Sequence, residues 1–117
     1  MIKYIITSNI NNTLKQLLPQ LPQLTYINST EPTLLLNIPG LDHHAVNYEY
    51  LTNLQQILDC IQNKNEVIVI ENLLKYNLDE YLLVKLFKKL SDLEYCYLVD
   101  NRKIGFIELM TDDVIFV

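Results

Sequence analysis

Glycine, proline, cysteine and histidine are all scarce in this sequence, and tryptophan is absent. With two glycines and four prolines in 117 residues, no stretch has the composition of a flexible linker, so residues 1–117 are expected to form a single domain. The two cysteines, Cys60 and Cys96, lack Cys-x-x-Cys spacing, which excludes zinc-ribbon and thioredoxin-type sites. No apolar run approaches the roughly 18 residues of a membrane span. These absences predict a cytoplasmic protein that does not insert into membranes.

Acidic residues outnumber basic ones by fourteen to nine, and the formal net charge is −5. This balance argues against a nonspecific nucleic-acid coat protein. A sum of charges says nothing about their distribution, so a local basic patch stays open. The same acidity, together with small size and eight tyrosines, suits an inhibitor that is steered to a basic protein partner.

Apolar periodicity predicts an α/β fold, mainly a parallel sheet with flanking helices. Buried strands are expected at residues 2–7, 25–28, 33–38, 66–70 and 95–99. Helices are expected at residues 13–18, 42–63 and 78–90, the longest because Tyr50, Leu54, Ile57, Leu58 and Ile61 recur at three- and four-residue steps. Residues 104–109 and 114–117 are expected to add short antiparallel strands at the end of the chain.

The segment from Thr7 to Lys15 joins the first strand to the first helix, where a P-loop protein carries its phosphate-binding glycines and lysine. It contains no glycine, and glycines are what let the backbone N–H groups wrap phosphate oxygens. The frame is therefore interpreted as a degenerate P-loop-like fold without nucleotide binding. Glu71 follows a buried strand, where it is either a metal-holding carboxylate or a simple strand-end polar residue.

Two further groups of residues offer candidate chemistry. Asp42-His43-His44 matches the Asp-His-His signature of a metal-dependent phosphoesterase family, but no aspartate precedes it. That chemistry needs several more carboxylates, so the alternative is a helix N-cap formed by Asp42. A small enzyme using these residues with Glu71 is a third hypothesis behind a non-enzymatic function. Asp112 and Asp113 with Glu108 either supply oxygen ligands to Ca²⁺ or form a solvated turn.

Six of the nine basic residues fall between residues 75 and 103. Lys85, Lys88 and Lys89 recur at helical steps away from the leucine stripe, and Arg102-Lys103 follow the next strand. This cluster is either a solvated helix face or a patch that contacts phosphates and releases counterions. The tyrosines, including Tyr76, Tyr81, Tyr95 and Tyr97, suit core edges, interfaces or base stacking.

The order of motifs after residue 50 forms a pattern. It comprises a helix ending near Ile61-Gln62, the strand Val67-Ile68-Val69-Ile70, then Asn72-Leu73 and Tyr76, a helix opened by Asp79-Glu80, the strand Cys96-Tyr97-Leu98-Val99 before Asp100-Asn101-Arg102, and the closing Asp112-Asp113-Val114-Ile115-Phe116. This stretch resembles the head domain of the accessory spacer-acquisition protein of type II-A CRISPR systems. The inserted helical leg domain of that family is lacking here.

The resemblance implies a P-loop-like fold that has lost nucleotide binding. It also implies a homo-oligomer that binds double-stranded DNA ends through lysines, with Ca²⁺ supporting assembly and with other CRISPR adaptation proteins as partners. On matching elements, the DNA contacts it implies are Lys85, Lys88, Lys89, Arg102 and Lys103. The function expected is thus non-catalytic DNA binding and assembly. The alternative is a small acidic inhibitor or immunity protein that neutralises a basic nuclease toxin.

Overall fold

A computed structural model describes residues 1–29, 38–62 and 66–117 of the chain. Strands and helices alternate along these residues. The strands are β1 (Ile2–Ile6), β2 (Leu24–Asn28), β3 (Val46–Tyr50), β4 (Val67–Glu71), β5 (Tyr95–Asp100) and β6 (Asp113–Phe116). The α-helices are α1 (Ile10–Leu17), α2 (Leu54–Cys60), α3 (Glu80–Ser91) and α4 (Gly105–Glu108), and 3-10 turns include Leu18–Gln20, His43–Ala45 and Leu73–Lys75. The predicted α/β class is confirmed.

The six strands form one sheet in the order β3-β2-β4-β5-β1-β6, and every neighbouring pair is parallel. The prediction of antiparallel strands at the end of the chain is wrong, because β6 pairs in parallel with β1. Residues 104–109 were expected to be a strand, but they include α4. This helix carries the chain back to the edge where the other strands begin, and a parallel pairing requires such a crossover.

Two apolar cores lie on the two faces of the sheet. One is covered by α2, α3 and α4, and its buried members include Leu54, Ile57, Leu83, Leu86 and Ile107. The other is covered by α1 and includes Leu14 and Leu18. Strand β4 contributes to both, because Ile68 and Ile70 point to the first face while Val69 points to the second. Such burial on both faces explains its uninterrupted apolar sequence.

The predicted long helix over residues 42–63 is wrong. A 3-10 turn at His43–Ala45 leads into β3, and α2 begins only at Leu54. The side chain of Asn53 caps α2 by accepting a hydrogen bond from the N–H of Gln56 at 2.9 Å. Tyr50, which completed the apolar periodicity, lies on β3 and is 53% exposed.

The remaining predicted elements agree with the structure apart from their ends. Helix α1 is capped by Asn9, whose side chain accepts from the N–H of Asn12, and begins earlier than expected. Helix α3 is capped by Asp79 in the same manner. The strand predicted at residues 33–38 falls outside the described residues except for Ile38, which is buried.

Candidate functional site

All strands of a parallel sheet end at the same edge, which we call the carboxyl edge. Polar residues lie at four of these ends, with Asn28, Glu71 and Asp100 completing β2, β4 and β5 and with Thr7 following β1. The chain leaves β2 towards β3 but leaves β4 in the opposite direction, towards β5. Ligands of α/β proteins bind where neighbouring connections diverge in this way. The carboxyl edge between β2 and β4 is therefore a candidate ligand site.

At this point of divergence, the carboxylate of Glu71 is held by the protein itself. The amide Nδ2 of Asn28 donates to Glu71 Oε2 at 2.6 Å, and the hydroxyl of Tyr26 donates to the same oxygen. Burial, followed by the Glu71 charge, raises the pKa of Tyr26 and raises that of Tyr48 to about 12. Both phenols therefore stay protonated at neutral pH. The contacts make Glu71 an anchor between β2 and β4.

Asp100 lies at the carboxyl edge with no exposed surface. Among the described residues, neither of its carboxylate oxygens has a well-formed hydrogen bond. Burial raises the pKa of this carboxyl from 3.8 to about 7, although the nearby N–H groups of Leu74 and Leu73 oppose the shift. Asn72 positions those N–H groups, because its left-handed conformation (φ 61°) starts the 3-10 turn that carries them. Asp100 is thus a proton-binding group that ligands cannot reach in this conformation.

Four backbone N–H groups in the loop between β1 and α1 donate hydrogen bonds within the protein. Thr7 N donates to the carbonyl of Asp100 at 2.9 Å, and Thr13 N donates to the carbonyl of Asn9 at 3.1 Å. Asn9 N donates to the Thr7 hydroxyl at 3.2 Å, and Asn12 N donates to the Asn9 side chain at 3.0 Å. These four donors are already bonded within the protein. A phosphate group could use these four donors only by displacing those bonds.

The largest gathering of the predicted DNA contacts lies in a groove between α2 and α3. This α2–α3 groove has a volume of about 440 Å³ and is lined by Gln55, Leu58, Asp59, Lys85, Lys88, Lys89 and Asp92. Its lysines are presented to solvent because α3 buries its opposite side, through Leu83, Leu86, Phe87 and Leu90. Three lysines against two aspartates give the lining a formal charge of +1, in a protein whose net charge is −5.

The three lysines of the groove have different contacts. Lys89 Nζ donates to the carbonyl of Leu58 in the last turn of α2 at 2.8 Å, so it joins the two helices. Lys85 Nζ lies 4.4 Å from the centroid of the Tyr81 ring, in a cation–π contact. Within the part of the chain that the structure describes, the side chain of Lys88 makes no hydrogen bond or ion pair. Lys85 and Lys88 are therefore the groove cations that can turn to an external anion.

Arg102 and Lys103 do not join this groove. Helix α3 starts after β4 and ends before β5, so Lys88 and Lys89 lie towards the edge where the strands begin. Arg102 and Lys103 follow the opposite end of β5. The length of α3 is about 18 Å. In addition, Lys103 Nζ forms an ion pair with Glu108 at 2.9 Å. The five predicted contacts thus form two separate groups.

The residues of the predicted small enzyme are also separated. Asp42 accepts a hydrogen bond from the N–H of His44 at 3.0 Å, which caps a short turn in place of the predicted long helix. His44 is exposed and lines a cavity of about 620 Å³ where β2, β3 and β4 begin. Glu71 lies at the other end of β4, roughly 13 Å along the strand. Asp42 and His44 therefore share no site with Glu71.

Two of the acidic residues near the end of the chain have partners within the protein. Asp112 Oδ2 accepts a hydrogen bond from the N–H of Ile2 at 2.7 Å, and Glu108 pairs with Lys103. Across residues 1–29, 38–62 and 66–117, no three His, Cys, Asp or Glu side chains are grouped to hold a metal ion. The residues proposed for Ca²⁺, Asp112, Asp113 and Glu108, are thus not brought together as a ligand set.

Comparisons with protein-family models, curated proteins and solved structures gave no match. None of the helices in the described part of the chain combines the length and apolar character needed to cross a membrane.

Sequence reasoning missed most of the polar residues at the carboxyl edge. Asp100 was treated as part of a turn, and neither Tyr26 nor Asn28 was singled out. A signal was available, because polar residues directly after buried strands converge in any parallel sheet. The partner of Glu71 could not be found this way, since it depends on β2 lying beside β4.

Proposed function

We propose that this protein binds double-stranded DNA through the α2–α3 groove and catalyses no reaction. The observation that carries the proposal is the placement of Lys85, Lys88 and Lys89 along one groove of an otherwise acidic protein. Neutralising phosphates with lysines releases counterions from the duplex, and this release drives binding without regard to sequence. Lys85 and Lys88 supply the phosphate contacts, while Lys89 keeps α3 against α2.

The biological role proposed is that of an accessory factor in CRISPR adaptation. It rests on the resemblance of residues 50–117 to the family named above. With that role come a cytoplasmic location, a homo-oligomer and other adaptation proteins as partners. The loop from Thr7 to Thr13 supports the nucleotide-independent part of this proposal, because it contains no glycine and four of its N–H groups are already bonded within the protein. Ca²⁺ stays a prediction of the resemblance, to which no described carboxylate group is assigned.

Fluorescence anisotropy with a short linear duplex at low salt tests the proposal. We expect the Lys85→Ala/Lys88→Ala variant to bind several-fold more weakly than the natural protein, because each substitution removes one phosphate contact. Lys15→Ala is the control for a single charge, to be compared with Lys88→Ala. Both lysines are exposed and lie in the last turns of their helices, but α1 covers the opposite face of the sheet. Equal losses for Lys15→Ala and Lys88→Ala would contradict the assignment of the groove.

The second candidate function is inhibition of a basic protein partner. One observation favours it: Tyr81 and Val84 of α3 are 67% and 60% exposed beside the lysines, and exposed tyrosines are enriched in protein interfaces. A pull-down with a basic nuclease encoded next to this protein distinguishes the two functions. Inhibition would be favoured if the natural protein binds such a nuclease and Tyr81→Ala does not. Neither of these two proteins should then bind the duplex.

A further inference from the structure

An aromatic pair lies on the sheet face that α1 only partly covers. Tyr95 and Tyr97 are two residues apart on β5, so both side chains point to the same face. Their ring centroids are 6.4 Å apart and their planes differ by 18°. Tyr97 packs against the core beneath α1, whereas Tyr95 is 39% exposed at the edge where the strands begin.

A lysine lies over the Tyr95 ring of this pair. Lys3 of β1 is directly opposite Tyr97 in the parallel register, and its neighbours Ile2 and Tyr4 point into the core of the other face. Lys3 Nζ is 5.8 Å from the centroid of the Tyr95 ring, within the range of a cation–π contact. We call Lys3, Tyr95 and Tyr97 the tyrosine platform.

We propose that the tyrosine platform binds single-stranded nucleic acid by stacking an unpaired base on Tyr95. Every nucleobase has a flat π-face that stacks on an exposed aromatic ring, and an adjacent cation attracts the neighbouring phosphate. Bases inside a duplex are already stacked on one another. The platform therefore selects unpaired strands, which the α2–α3 groove on the opposite face does not distinguish.

The combination of one lysine with two aromatic rings favours a nucleic-acid strand over a protein partner. A cation next to two nearly parallel rings complements a base and its phosphate. The larger apolar exposure lies elsewhere, on Phe106 and Leu109 of the α4 segment, which are 45% and 87% exposed. Carboxylates near the platform oppose the phosphate, because Asp113 of β6 is the register partner of Lys3 and Glu94 directly precedes Tyr95. Removing the Asp113 charge should therefore strengthen binding.

The test uses two labelled single strands of equal length, oligothymidine and an abasic strand with the same phosphates but no bases. We expect oligothymidine to bind more tightly, and Tyr95→Ala to weaken its binding by about tenfold. Tyr95→Phe should retain the affinity because stacking needs no hydroxyl. Asp113→Asn should increase it.

Tyr50→Ala is the matched control, since Tyr50 is also an exposed strand tyrosine but lies at the end of β3, outside both proposed surfaces. Equal binding of the two strands, or equal losses in Tyr50→Ala and folded Tyr95→Ala, would overturn the proposal. Duplex binding is measured in parallel on the Lys85→Ala/Lys88→Ala variant. Loss of duplex binding alone leaves the platform intact, so the two proposals can fail separately.

Discussion

At the residue scale, Asp100 has the environment least like that of an exposed carboxyl. Its side chain is fully buried, and burial raises its pKa from 3.8 to about 7. A raised acid pKa means that folding favours the protonated form. As the pH rises above about 4, the unfolded chain releases this proton first, so the free energy of unfolding falls until about pH 7 and then levels off.

Replacing Asp100 by Asn should remove this pH dependence, because an amide does not titrate. We expect Asp100→Asn to match the natural protein near pH 4 and to exceed its unfolding free energy at pH 8 by up to about 4 kcal/mol. Urea unfolding followed by circular dichroism across this range measures the difference. Asp59→Asn, at an exposed position of α2, is the control and should keep the natural pH profile. A natural protein whose stability does not fall between pH 4 and 7 would contradict the account.

At the element scale, residues 42–63 show where a periodic pattern misleads. Leu54, Ile57, Leu58 and Ile61 do pack into one core, as the helical spacing predicted. Tyr50 continues the same spacing although it lies on β3. No proline or glycine within residues 42–63 signalled that the helix should begin later. The alternation of Val46, Asn47, Tyr48 and Glu49 is the period of a strand, and Asn53 is a good N-cap. Both signals were present, but the longer apolar stripe outweighed them.

The cap of α2 offers a test of this boundary. Asn53→Ala should lower the unfolding free energy by about 1 kcal/mol, because it removes the acceptor for the N–H of Gln56. In a continuous helix over residues 42–63, the same change would stabilise the protein, since alanine has the higher helix propensity. Asn47→Ala, on the exposed side of β3, is the control for replacing an exposed asparagine that caps no helix. Stabilisation by Asn53→Ala would contradict the structure.

The end of the chain was mispredicted for a related reason. Residues 104–109 are a short apolar run, and such runs are compatible with either a helix or a strand. Only the packing decides: Ile107 is buried against the sheet while Phe106 and Leu109 remain exposed. Once this run is helical, β6 returns in the parallel direction. Strands β1, β4 and β5 and the α3 helix were predictable because their patterns are long or uniformly apolar, whereas strand β3 and the pairing partners of each strand were not.

At the scale of the whole molecule, charge and position separate the two proposed surfaces. The protein is acidic overall, yet its groove cations lie on one face and its tyrosine platform on the other. Composition predicted the acidity but not this distribution. The cluster of basic residues between 75 and 103 was visible in the sequence, while its division into two groups follows from the direction of α3.

The salt dependence of duplex binding tests the central proposal most directly. The natural protein is titrated against a linear duplex at a series of salt concentrations, and the logarithm of the association constant is plotted against the logarithm of the salt concentration. Phosphate contact by Lys85 and Lys88 predicts a straight line of negative slope, which becomes shallower by about one for each lysine replaced by alanine. Absence of binding at low salt, or binding indifferent to salt, would contradict the proposal.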